Sequence, residues 1–137
     1  MENKVQIYEF NPQIYPFRLW VGVKVPFEEA TKFYNLLGFN EVAEFEKDTY
    51  YSHNRSRCTC MPVVRKEDNR IGILCSIWDT KGMTIGDISH ESLHITDFLC
   101  EYLGIKCNGF DDGEPRAYFS GWVANCIYQV KKVKPKV

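Results

Sequence analysis

The chain has little net charge and no long apolar run, and each shortage removes a class of function. With 17 basic against 18 acidic residues the formal charge is −1, so no overall field draws nucleic acid, an anionic membrane or acidic substrates. No apolar stretch approaches membrane-spanning length. The opening Met1-Glu2-Asn3-Lys4 lacks the apolar segment of a secretory signal, and a cytoplasmic location is expected. Six cysteines are present without a Cys-x-x-Cys pair. A disulfide framework and a thiolate zinc knuckle are therefore both unexpected. Cys58 and Cys60 should share one face of a strand, with Cys75 in another. Cys100 and Cys126 fall at apolar helical positions, where a thiol packs as a small hydrophobe.

What is present describes one folded unit. The 137 residues are 45% hydrophobic and 15% aromatic, enough for a single core and too apolar for disorder. Residues 1–13 read as an arm with a short strand at Val5 to Tyr8, 14–130 as one α+β domain, and 131–137 as a basic, solvated tail. From Phe17 to Val25 apolar residues alternate with Arg18, Trp20, Gly22 and Lys24, which predicts a strand with one buried face. Phe27 to Leu37 carries Phe27, Ala30, Phe33, Tyr34 and Leu37 as a helical stripe, with Gly38 placed as its cap. Phe39 to Phe45 suits a short strand. Ser56 to Val64 and Ile71 to Trp78 make a hairpin around a polar turn, the second strand being the more central. Two helices follow. The expected fold is a small, mostly antiparallel sheet of about three to five strands, one early helix and two C-terminal helices.

Chemistry concentrates in His90-Glu91-Ser92-Leu93-His94. Thr84 to Asp87 reads as a capping box opening a helix that Gly104 stops. On that helix Ile85, Ile88, Ile95, Leu99, Tyr102 and Leu103 gather on one arc; His90, Glu91, His94, Asp97 and Glu101 gather on the other. Two imidazoles four residues apart can reach one metal ion, and neutral imidazole suits Zn²⁺. Glu91 can then take a proton from a metal-activated water. Asp97 is one turn beyond His94 and can accept a ligand's second ring N–H. Glu114 opens the last helix beside Pro115 and is a candidate third ligand, sharing a stripe with Tyr118, Gly121 and Asn125. Tyr118 is placed to donate to a developing oxyanion. His53, the one histidine outside the motif, reads as a solvated loop residue.

The motif resembles the zinc site of the zincin metallopeptidases, and the Glu on the following helix resembles their gluzincin branch. The likeness spans roughly Thr84 to Val130. It implies His90, His94 and Glu114 as zinc ligands, Glu91 as general base, and a peptide or protein substrate held along a strand edge in the hairpin. The run from Glu114 to Trp122 also resembles small phage and prophage proteins with the same motif, which implies a host cytoplasm as the setting. The expected activity is zinc-dependent amide hydrolysis. The alternative is a binding or regulatory protein, with a non-catalytic zinc or none, using aromatics among Tyr15, Trp20, Tyr50, Tyr51 and Trp78 as its surface.

Overall fold

A computed structural model describes residues 5–38, 41–52, 56–106 and 109–133. His53 lies outside them. In chain order the elements are β1 (Ile7–Phe10), β2 (Arg18–Val23), α1 (Phe27–Phe33), β3 (Tyr34–Leu37), β4 (Val42–Ala43), α2 (Lys47–Tyr51), β5 (Cys58–Arg65), β6 (Ile71–Ile77), α3 (Ile85–Leu103) and α4 (Glu114–Lys132). The six strands form one sheet in the order β1-β2-β6-β5-β3-β4. Every pairing is antiparallel except β2 with β6. The α+β class holds, with more strands than expected, because Tyr34–Leu37, read as the end of a helix, is strand; the arm's short strand falls at Ile7–Phe10.

The early helix stops at Phe33. Tyr34 sits where the stripe asks for another helical turn, but Tyr34, Asn35 and Leu36 pair with Arg65, Val64 and Val63 of β5. Tyr34 is buried against Trp20, ring centroids 5.0 Å apart. Tertiary pairing and aromatic burial outweigh helical preferences, which differ among ordinary residues by only a few tenths of a kcal/mol each. The helix ends at Tyr34 in extended conformation, and Gly38 does not cap it.

Strand β2 is buried on both faces: Leu19 and Val21 enter one core cluster and Trp20 the other. Lys24 then takes a positive φ of 49°, which carries Val25 to the Trp20 side. There the Val25 N–H donates to Ser76 Oγ and Tyr50 Oη donates to the Val25 carbonyl. Tyr51 Oη accepts from the Phe27 N–H. These bonds hold α1 and α2 under the sheet. Tyr50, Tyr51, Trp78 and Phe45 pack edge to face among themselves. Trp20 and Tyr50 are buried, and Tyr15, Tyr51 and Trp78 half-buried, so these five aromatics build the interior and do not form an exposed surface.

The other face of the sheet carries the two long helices, α3 over β5 and α4 over β2. Helix α3 starts at the expected capping box: Asp87 N–H donates to Thr84 Oγ1 and Thr84 N–H to Asp87 Oδ2. It ends at Gly104, whose φ of 68° suits glycine. Ile88, Ile95 and Leu99 anchor it. Ile85 is 85% exposed and Tyr102 46%, so the apolar arc is narrower than its sequence suggested. Ser92 and Thr96 fill it with hydroxyls that donate to the carbonyls four residues back. Among the described residues no helix is long and apolar enough to cross a membrane.

Candidate metal centre

Helix α3 presents three flanks to different neighbours. On one, Asp97 accepts from Arg116 of α4 at 2.7 and 3.1 Å. On the opposite one, Glu91 is half-buried and lines a cleft with Cys60 of β5. Between them, exposed, stand His90 and His94. Their rings meet edge to face at 4.7 Å, and their Nε2 atoms lie 3.1 Å apart. Two nitrogens bound tetrahedrally at the usual zinc distance are about 3.3 Å apart. In this structure the spacing is that of a hydrogen bond between the two rings, and it is close to the separation that one ion needs.

Glu91 and His94 line a cleft of about 300 Å³ with Cys60, Pro62, Ile73, Ile95 and Phe98. Burial raises the Glu91 carboxyl above the ordinary carboxylate range; the neighbouring Cys60 thiol pulls it back, the Cys58 thiol pushes it up, and His90 and His94 pull it down. A carboxyl shifted toward neutrality is matched to proton transfer. The cleft runs beside a bare stretch of backbone, because β3 covers only Val63 to Arg65 of β5. Among the described residues, Cys58 to Pro62 have no strand on the side away from β6.

Glu114 is not gathered into this arrangement. It is exposed at the first position of α4, and Tyr118 (76% exposed), Gly121 and Asn125 of its stripe are exposed as well. His90, His94 and Glu114 do not lie within 4.8 Å of one another. Asp97 is taken by Arg116. The buried side of α4 is Phe119, Val123, Cys126, Ile127 and Val130, on the face opposite Glu114.

Among the described residues, one group of three candidate ligands does converge: Cys58, Cys60 and Cys75, whose sulfurs all lie within 4.8 Å of one another and could hold a metal ion. Cys75 Sγ is 3.1 Å from Cys58 Sγ and accepts from Cys60 Sγ at 3.3 Å. Cys60 faces Cys75 directly across the β5–β6 ladder, and Cys58 faces Ile77. The bonds from Cys58 and then Cys60 outweigh burial and draw the Cys75 thiol down to about 6, and Glu91 opposes the shift weakly. Cys60 is held well above its usual value by its bonds to Cys58 and Cys75 and by shielding from water. The placement of Cys58 and Cys60 on one face of a strand and Cys75 in another holds, and the fold adds that their sulfurs converge. The hairpin register carried the missing signal: a turn that pairs Val64 with Ile71 also sets Cys60 opposite Cys75.

Compared with protein-family models, with curated proteins and with solved structures, the chain matches none of them.

Proposed function

We propose that the protein is a zinc-dependent amide hydrolase, with His90 and His94 as metal ligands and Glu91 as general base. The observation that carries this reading is the 3.1 Å approach of the two Nε2 atoms beside a carboxyl that burial has moved toward neutral pH. Zinc held by this pair would act as a Lewis acid that activates water toward deprotonation near neutral pH. Glu91 would then accept a proton from that water and return it to the leaving amine. The substrate is an extended peptide, laid along the unpaired Cys58 to Pro62 edge of β5, where backbone hydrogen bonds give register. Glu114 and Tyr118 stand exposed on α4, apart from the histidines, and take no part in this reading.

The exposure of Glu114 favours a second reading, a zinc-containing binding protein without catalysis. Elemental analysis together with peptide-library hydrolysis decides between them. The hydrolase reading expects zinc that is depleted in His94→Ala, and activity that Glu91→Gln abolishes while keeping the metal. Zinc retained fully in His94→Ala, or hydrolysis unchanged in Glu91→Gln, overturns it.

A further inference from the structure

We infer that Cys58, Cys60 and Cys75 form a second metal site, which takes a soft divalent cation of the zinc class on three thiolates. This does not rest on the hydrolase reading, because none of its ligands belongs to the histidine pair. Three separate features of the fold build it. Alternation along β5 puts Cys58 and Cys60 on one face. The ladder sets Cys75 opposite Cys60. Helix α3 closes over them through Ile88, Ile95 and Leu99, which share their core cluster.

The distances select among the possible states of three thiols. Sulfurs 3.1 and 3.3 Å apart are well beyond the roughly 2.05 Å of a disulfide. A tetrahedral zinc–thiolate centre needs sulfurs about 3.8 Å apart, so a small rotation of each side chain opens the cluster to admit the ion. Thiolate donors reject Mg²⁺ and Ca²⁺, which take oxygen. Charge then selects the valence. Three thiolates around a divalent cation leave one net negative charge; around a monovalent one they leave two. Cys58 is 5% exposed and Cys75 0%, and each buried charge there costs solvation. Cys60, half-buried, lines the cleft, so ion and displaced protons exchange with solvent from that side and a fourth ligand can come from it. Binding forms three metal–sulfur bonds and releases the thiol protons to water, with no change of oxidation state.

The test uses the full chain under reducing conditions with Co²⁺ alone as probe. A thiolate-to-cobalt charge-transfer absorption is expected in wild type and in His90→Ala and His94→Ala, and is lost in Cys60→Ala and Cys75→Ala. Cys126→Ala keeps it. Cys75 is fully buried, and its variant can lose the fold for packing reasons alone. Cys60→Ala, at the cleft rim, then decides, with far-ultraviolet circular dichroism confirming that it is folded. A wild type without the absorption, or an absorption that persists in folded Cys60→Ala, overturns the site. Loss of zinc in His94→Ala with the cobalt–thiolate band intact supports both centres, whereas unchanged zinc in His94→Ala removes only the histidine site.

Discussion

The histidine pair and the thiol triad lie on opposite sides of Glu91, and they were assembled in opposite ways. His90 and His94 come from one helical turn, stand exposed, and meet because four residues of helix return a side chain to the same face. The three cysteines come from two strands, two of them nearly fully buried, and meet because of strand register. The first centre is local and survives any packing that keeps α3 helical. The second is non-local and exists only if β5 and β6 pair as they do. Solvent access follows the same division: the histidines stand exposed, whereas Cys58 and Cys75 are buried and Cys60 alone of the three reaches the cleft.

Several changes should break or sharpen that contrast. The largest effect is expected for Glu91→Gln, which should lower hydrolysis by about 10²- to 10⁴-fold, the usual range for loss of a general base, while leaving the cobalt–thiolate absorption in place; steady-state kinetics and the spectrum are read on one preparation. Next is Ile95→Ala. Ile95 is a fully buried residue of α3 and lines the cleft. Its truncation should cost about 2–5 kcal/mol, seen as a lower denaturant midpoint, and should weaken the thiol centre along with the histidine one. Thr84→Ala removes the helix cap and should cost about 1 kcal/mol, fraying the start of α3 and loosening His90 more than Cys60. Leu93→Ala, at one of the exposed positions of the same helix, should change stability by less than about 0.5 kcal/mol and spare both centres.

The smallest effect is a pH dependence of the metal-free protein. Burial raises the folded-state value of Glu91, so the folded chain keeps this proton where the unfolded chain has lost it. Its contribution to stability is therefore full below the ordinary carboxylate range and declines as pH rises through the raised value. Asp87 has the opposite sign. The Thr84 backbone N–H, helped by the Thr84 side chain and Arg57, holds it below the ordinary range against desolvation. Its contribution is present above that range and is lost as pH falls through the lowered value. Chemical denaturation with chelator present, from acid to neutral pH, should show Glu91→Gln gaining on wild type as pH rises. The deficit of Asp87→Asn should close only on the acid side. Parallel curves for Glu91→Gln and wild type would remove the argument that Glu91 is desolvated.

Much of the scaffold was readable from residues. Thr84 and Asp87 announced α3, Gly104 its end, and Pro115 the start of α4, because caps and first-turn prolines act within a few residues. The hairpin around residues 65–70 was equally plain. The reading failed where the partner was distant in sequence. Tyr34 obeyed a helical spacing and yet went into the sheet, since β5 and Trp20 offered it pairing and burial that no local count contains. Ile85 looked like core and is solvent-exposed at the first position of α3, one turn before Ile88 reaches the core cluster. Tyr50 and Trp78 looked free for a partner and pack against each other.

The amino-acid order alone settled which residues share a helical turn, where both long helices begin and where the first of them ends, and that one carboxylate follows directly on the first of two imidazoles. Those are properties of a few consecutive bonds. The packed structure alone decided that Glu91 turns toward β5 while Glu114 stays in solvent, and that three scattered cysteines meet beneath it. Such outcomes depend on strand register and on which helix face finds the sheet, and both are set by burial summed over the whole chain.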